Sequence, residues 1–296
     1  MKILITDGLS AQGQAILKKS GIEYDIHFYE PDELIKAIVD YDCVLVRSAT
    51  KIPKEVIDAG KKLKVIARGG AGIDNIDHVY ALSKGIPVLN TPAANSASVA
   101  ELAIAHMFVL ARFLHQSNIS MREGKWEKKK YKGIELAGKT LGLIGCGKIG
   151  RLTAEKALGL GMKVVGCDPI VKDLGHNAQI HDFEEVLRES DFISLHVPKM
   201  KEALIGKKEI AMMKDGVYII NCSRGGVVDE NALLEALNSG KVAGAGLDVF
   251  VNEPTDNMAL ISHPNVSVTP HVGASTNEAQ DRVGVEIAEK IVAALK

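Results

Sequence analysis

The chain has 296 residues, a mass of 31.7 kDa, 46% apolar and 25% charged residues, and a formal net charge of -1. That length exceeds what one hydrophobic core usually spans, so two lobes of unequal size are expected, and the composition is far from that of chains too polar to fold. The near-neutral balance offers no broad cationic field for nucleic acid or for an anionic membrane surface, so the expected partner is a small solute.

Apolar runs of four to seven residues alternate with stretches of helical period, the pattern of an α/β protein whose parallel sheets are covered by helices on both faces. In the first third, strands are expected at residues 2–6, 24–29, 43–47, 64–67 and 88–89, with helices near 10–19, 31–40, 54–59 and 78–84. These make one small doubly wound unit. The chain opens directly on its first strand, with neither a signal peptide nor an apolar run of about 20 residues expected.

A long helix is expected at 98–115, opened by the capping-box pattern Ser98-Val-Ala-Glu101. Residues 124–133 carry Lys125, Lys128, Lys129, Lys130 and Lys132 around Trp126 and Tyr131. They read either as an exposed basic arm or as an interface or anion-binding segment. The alternation restarts at Thr140, with strands at 140–144, 163–167, 192–196, 217–221, 245–249 and 266–269. This is a second doubly wound unit. The amphipathic last helix, 277–295, is expected to return to the first lobe, which gives a discontinuous domain of 1–92 with 275–296 and a continuous one of 93–274.

Cys43, Cys146, Cys167 and Cys222 sit in apolar strand-like runs and form no CxxC or Cys/His cluster. Neither a metal site nor a disulfide framework is indicated, and a reducing, cytoplasmic location fits best.

The strongest local signal is Gly145-Cys-Gly147-Lys-Ile-Gly150, placed directly after one expected strand and before the helical run 149–160. In that context the first glycine permits a tight turn, the second lets backbone approach a pyrophosphate, and the third lets helix and strand pack closely. The next strand ends at Asp168, about 18 residues after Gly150, where a carboxylate can accept from ribose hydroxyls. Only Pro169 and Ile170 follow, with no arginine for a 2′-phosphate, so NAD is the expected cofactor; the alternative for Asp168 is a strand-end turn residue.

Three further strands end in residues able to do chemistry. Arg224 stands between an apolar strand and a Gly-Gly turn, Asp248 and Glu253 follow the next strand, and His271 follows the last. Singly, each reads as readily as part of a surface ion pair. Together they supply a planar cation for a carboxylate, a base for a hydroxyl proton and an anion to tune that base.

At this point the chain resembles the D-isomer-specific 2-hydroxyacid dehydrogenases, over nearly its whole length and most closely in the branch acting on phosphoglycerate. The stretches that carry the likeness are Val46-Arg-Ser-Ala-Thr-Lys51, Arg68-Gly-Gly-Ala-Gly-Ile-Asp-Asn75, Asn90-Thr-Pro92, Asn95-Ser-Ala-Ser-Val-Ala-Glu101, Gly124-Lys-Trp-Glu127 and the three strand ends just described. The resemblance implies a Rossmann cofactor domain and a smaller flavodoxin-like substrate domain. It implies His271 as acid/base, Glu253 as its orienting carboxylate and Arg224 as the group that binds the substrate carboxylate. Asp248 would hold the nicotinamide carboxamide, and the cofactor set would comprise Gly145, Gly147, Lys148, Ile149, Gly150, Asp168, Val197, Pro198, Cys222, Ser223, Asp248, Gly273 and Ala274. Backbone around Gly70, Ala71 and Gly72 would meet the carboxylate, and Arg47 and Lys51 the distal phosphate; the last two read equally as a solvated surface pair.

The activity implied is NAD-dependent oxidation of D-3-phosphoglycerate to 3-phosphohydroxypyruvate, the entry to L-serine biosynthesis, in a homodimer paired through the cofactor domain. A glyoxylate or hydroxypyruvate reductase of the same family is the sibling reading. A non-catalytic NAD-sensing protein resembling the family's corepressors is the reading from another class. No appended regulatory domain is expected after Lys296.

Overall fold

The computed structural model describes residues 1–175 and 178–296. The chain forms two compact units, one of Met1–Asn95 with Ala274–Lys296 and one of Ser96–Gly273. In chain order the first contains β1 (Lys2–Ile5), α1 (Ala11–Ser20), β2 (Glu23–Ile26), α2 (Pro31–Ala37), β3 (Cys43–Val46), α3 (Lys54–Ala59), β4 (Val65–Arg68), α4 (His78–Ser83) and β5 (Val88–Asn90). The second begins with α5 (Ser96–Ala111), α6 (Leu114–Arg122), β6 (Thr140–Ile144), α7 (Lys148–Gly159), β7 (Lys163–Cys167) and β8 (Gln179–Ile180). It continues with α8 (Phe183–Glu189), β9 (Phe192–Leu195), α9 (Lys207–Met212), β10 (Val217–Asn221), α10 (Glu230–Ser239), β11 (Val242–Leu247), α11 (Met258–Ile261) and β12 (Val266–Val268). The last helix, α12 (Asn277–Leu295), belongs to the first unit again.

Both sheets are parallel throughout, with orders β2-β1-β3-β4-β5 and β12-β11-β10-β9-β6-β7-β8. Parallel strands bury both faces, which is why Cys-Val-Leu-Val in β3 and Phe-Ile-Ser-Leu in β9 are buried at every position. In the first sheet the strand order reverses between β1 and β3, in the second between β6 and β9. A crevice opens at the carboxyl ends of the strands flanking such a reversal, and ligands of open α/β sheets collect there.

Helix ends follow local chemistry. Ser10 caps α1 by accepting from the Gly13 N–H, Thr276 caps α12 through Ala279, and Asp229 caps α10 through Asn231 and Ala232. Within the first unit α12 lies against α1 closely enough that a Cβ on Gly13 would stand 2.6 Å from the Gly284 carbonyl oxygen. One face of α12, with Ile287, Ile291 and Leu295, is buried with Ile3, Ile5 and Leu17, each such side chain contributing roughly 1.5–3 kcal/mol.

The structure departs from the sequence reading at several ends. The helix expected at 98–115 starts at Ser96, places Ser98 inside its first turns, and breaks where Phe113 takes a left-handed φ of 52°, bending the chain by 62° into α6. The strand expected at 24–29 stops at Ile26, because β1 ends at Ile5 and its carbonyl takes the His27 N–H as the final rung. Strand β11 begins at Val242 rather than 245; Gly244 and Gly246 disguise it, and they are small because α5 packs on them, with a Cβ on Gly246 falling 2.6 Å from the His106 Cβ. The two-residue edge strand β8 carries too little pattern to be read.

Candidate active site

The Ser96–Gly273 unit gathers its chemistry along the carboxyl edge of the seven-stranded sheet, since every strand points the same way. After β6 comes the glycine turn. Gly145 holds φ +93°, and a Cβ there would meet the His196 carbonyl oxygen at 2.4 Å; a Cβ on Gly150 would meet the Gly145 carbonyl oxygen at 2.3 Å. Gly147, the N-cap of α7, has nothing within 4 Å of its would-be Cβ. Two glycines are thus demanded by packing, and the third borders open space at an uncapped helix N-terminus. That is the cradle a pyrophosphate requires, so these residues fit a dinucleotide. Lys148 and Ile149 form the first turn of α7, with Lys148 exposed.

Asp168 follows β7 and binds back to the turn: its Oδ2 accepts from the Cys146 N–H at 2.8 Å, and its Oδ1 from Ile170 at 2.8 Å and Val171 at 2.9 Å. Burial works to raise this carboxyl, but the N–H groups of Val171, Cys146 and Ile170 outweigh it and hold it below the usual range. Cys146 and Cys167 are pushed up by burial to about 12 and about 11, and Cys222 is raised for the same reason, so these thiols pack rather than react. His196, at the end of β9, accepts or donates at Nε2 with Ser194 Oγ at 3.0 Å, and burial lowers it to about 4. Val197 packs toward Gly145, and Pro198 is exposed beside it.

Past β10 the loop is locked by Asn221, whose Oδ1 accepts from the Ser223 N–H and hydroxyl and whose Nδ2 donates to the Arg224 carbonyl at 3.0 Å. Cys222 and Ser223 are buried. The half-buried Arg224 donates from Nη1 to the Ser223 carbonyl at 2.7 Å, and Gly225 passes so near β11's end that a Cβ would overlap the Phe250 carbonyl.

The ends of β11 and β12 carry the central pair. His271 Nδ1 lies 2.7 Å from Glu253 Oε2, and Glu253 Oε1 accepts from the Phe250 N–H at 3.1 Å. A carboxylate at Nδ1 selects the tautomer with the proton there and leaves Nε2 to exchange a proton with a ligand. The two side chains are 45% and 38% exposed, so the pair orients the ring more than it stabilises the fold. His271 itself adopts φ 54°, a left-handed conformation that costs a non-glycine residue on the order of 1–3 kcal/mol.

Asp248 holds it there. This residue is 1% exposed, its carbonyl accepts the His271 N–H at 2.8 Å, and its carboxylate accepts from Thr269 Oγ1 at 2.6 Å, Val272 N at 2.8 Å and Gly273 N at 2.8 Å. Three of roughly four acceptor positions are thus taken by the chain's own donors. Its first task is to shape the 271–273 turn, which the sequence reading did not anticipate.

The residues of Met1–Asn95 with Ala274–Lys296 form a separate set that includes Ala274. A cavity of about 300 Å³ lies at the reversal between β1 and β3, lined among others by Asp7, Ser10, Arg47, Gly69, Gln280 and Gly284. Asp7 fixes the loop bearing Arg47: its Oδ2 accepts the Arg47 N–H at 2.6 Å and the Thr50 N–H at 3.1 Å, its Oδ1 the Thr50 hydroxyl at 2.6 Å. Arg47 reaches this cavity; Lys51, exposed, and Gly70, Ala71 and Gly72 are outside its lining. The glycine stretch is tied elsewhere, with Asn90 Nδ2 donating to the Ala71 carbonyl at 2.6 Å and the Gly70 carbonyl accepting from Thr91 at 3.0 Å.

Comparison with known proteins places the chain in a family. Residues 104–273 match the model of the D-isomer specific 2-hydroxyacid dehydrogenase NAD binding domain. A hydroxypyruvate reductase of Thermotoga maritima is 50% identical over 98% of this chain and 97% of its own length. A D-3-phosphoglycerate dehydrogenase of Archaeoglobus fulgidus is 45% identical over 99% of this chain, which spans 57% of that longer protein. Among solved structures, the TT0316 protein of Thermus thermophilus superposes with a TM-score of 0.92 at 33% identity, covering 100% of this chain and 97% of that one. The chain belongs to the D-isomer-specific 2-hydroxyacid dehydrogenase family and is an NAD-dependent oxidoreductase.

Proposed function

We propose that this chain interconverts D-3-phosphoglycerate and 3-phosphohydroxypyruvate, the first step of L-serine biosynthesis, with His271 as acid/base, Glu253 as its orienting carboxylate and Arg224 as the carboxylate-binding cation. The observation that carries the acid/base assignment is the 2.7 Å contact between His271 Nδ1 and Glu253, which follow β12 and β11 on the same carboxyl edge of the sheet as the glycine turn after β6. In oxidation, His271 Nε2 accepts the hydroxyl proton, and in reduction it returns that proton to the C2 oxygen. Bound NAD supplies the acceptor for the C2 hydride. Arg224 neutralises the carboxylate and polarises the C2 oxygen, and Glu253, accepting at Nδ1, orients the ring so that Nε2 is the nitrogen that exchanges the proton.

Within the same reading, Asp168 accepts from the adenosine ribose, and Val197, Pro198, Cys222, Ser223, Asp248, Gly273 and Ala274 complete the cofactor set. Arg47 and Lys51 serve the distal phosphate, and Gly70, Ala71 and Gly72 the carboxylate. Arg47 supports a phosphorylated substrate because a planar cation lines the cavity at the β1/β3 reversal. A second reading, reduction of unphosphorylated hydroxypyruvate, is favoured by the 50% identity to the Thermotoga maritima protein over nearly its full length. Parallel kcat/KM measurements separate them. Preference for the phosphorylated acid, lost in Arg47→Ala, supports the first; equal or better use of hydroxypyruvate, unchanged in Arg47→Ala, supports the second.

A homodimer belongs to the same proposal, as does a cytoplasmic location. The surface proposed to carry the dimer is the outer side of α5 and α6 with the basic arm, since the rest of α5 packs inside its own unit against α7, β10, β11 and β12. Along that stretch Phe108, Leu114, Ile119, Met121 and Trp126 are exposed. Sedimentation at twice the chain mass, reduced to the monomer mass by Ile119→Lys, is the expected result.

A further inference from the structure

Among the buried polar side chains of the described residues, one histidine stands out. His106, in the middle of α5, is 2% exposed; its Nδ1 lies 2.9 Å from Ser267 Oγ and its Nε2 3.2 Å from Thr269 Oγ1. Ser267 and Thr269 are two residues apart at β12, so the strand's alternation puts both hydroxyls on the side that faces α5. The alternating Gly244 and Gly246 of β11 let α5 come near enough for the ring to reach them.

The proton directions in this chain of groups are set from one end. Asp248 accepts at 2.6 Å from Thr269 Oγ1, and a carboxylate only accepts, so the single hydroxyl proton of Thr269 is committed to it. Thr269 Oγ1 therefore meets His106 as an acceptor, which places the imidazole proton on Nε2. Nδ1 is then an acceptor, and Ser267 donates to it. The order Ser267 to His106 to Thr269 to Asp248 has one consistent polarity, and it ends on the carboxylate that also takes the N–H groups of Val272 and Gly273.

We propose that His106 is a positioning residue for the catalytic turn: by occupying the Thr269 hydroxyl as a donor, it locks that hydroxyl onto Asp248 and so holds the 271–273 turn in the strained conformation that presents His271. With a neighbour that cannot donate, the Thr269 hydroxyl is free to rotate, and Asp248 loses its shortest contact. The left-handed His271 has nothing intrinsic to keep it in place, so the loss is felt at the imidazole. Misplacement of a reacting group by about 1 Å costs up to about a hundredfold in rate. The effect on turnover rests on the reading of His271 as acid/base; the effect on the turn itself does not.

The test uses three variants of the full chain. In His106→Gln the amide nitrogen overlays Nε2 and still donates to Thr269, whereas in His106→Asn it overlays Nδ1 and reaches only Ser267; His106→Leu removes both. Hydrogen exchange of the Val272 and Gly273 amides is measured beside kcat and KM for reduction of hydroxypyruvate, with His271→Ala as reference. Expected are amide exchange at least tenfold faster and kcat about ten- to a hundredfold lower in the Leu and Asn variants. KM should change less than threefold, and the Gln variant should restore both amide protection and kcat. Equal behaviour of Gln and Asn, whatever their melting temperatures, or unaltered amide exchange in Leu, overturns the proposal. Slowed turnover in none of the variants while exchange still responds, together with an active His271→Ala, overturns the acid/base reading instead.

Discussion

Replacing the three glycines of the β6–α7 turn by alanine, one at a time, separates what the fold needs from what the cofactor needs. Ordinary contact begins at 3.4 Å, so the alanine Cβ is about 1.1 Å too close to the Gly145 carbonyl oxygen at position 150 and about 1.0 Å too close to the His196 carbonyl oxygen at position 145. Both opposing atoms are backbone and cannot swing aside. Overpacking of this kind costs roughly 1–3 kcal/mol, and at position 145 the φ of +93° adds about 1–2 kcal/mol for a side chain. Gly150→Ala should lower Tm by roughly 2 to 12 °C and Gly145→Ala by roughly 4 to 20 °C, at about 2–4 °C per kcal/mol for a unit of this size. Gly147→Ala meets open space and φ -67°, so it should cost under about 1 kcal/mol, the loss of a glycine N-cap. It should nevertheless weaken NADH binding by at least tenfold, because its methyl group stands where backbone must approach the pyrophosphate. Thermal unfolding followed by circular dichroism, and NADH titration by fluorescence, read the two effects. Wild-type NADH affinity in Gly147→Ala, or a wild-type Tm in Gly150→Ala, would refute the reasoning.

Two further outcomes follow from individual side chains. His196, lowered by burial to about 4, binds its proton in the unfolded chain near pH 6.5 but not in the folded one, so its contribution to stability is complete above pH 6.5 and is lost as pH falls toward 4. The loss approaches about 3 kcal/mol, His106 adds to the same limb because burial lowers it too, and Tm against pH should be visibly flatter between 6.5 and 4 in His196→Gln; an identical slope would count against it. Asp7→Asn removes an acceptor from the Arg47–Thr50 loop at a cost of roughly 1.5–3 kcal/mol, and should raise KM for the acid several-fold with kcat nearly unchanged; unaltered Tm and KM would show that the loop needs no such anchor.

Much of this molecule was legible before the structure. The glycine turn declared itself because a strand, three glycines and a helix stand in fixed sequence, and the end of β10 at Asn221 was read where it falls, while the ends expected at 249 and 269 fall earlier, at Leu247 and Val268. Strand β11 was only partly legible, since its alternating glycines serve a helix rather than the strand's own propensity. The break at Phe113 was invisible because no glycine or proline marks it. Asp248 was seen as a cofactor ligand, but its hold on the 271–273 turn depends on donors 21 to 25 residues away. His106 was unreadable: a histidine inside an apolar helix looks like any core position until Ser267 and Thr269, about 160 residues later, are brought against it.

Single-turnover and steady-state reduction of hydroxypyruvate by His271→Ala, with NADH affinity titrated on the same preparation, bear most directly on the catalytic assignment. Loss of the general acid predicts turnover lowered by about 10²–10⁴ with the NADH Kd within twofold of wild type. Turnover within tenfold of wild type would contradict it.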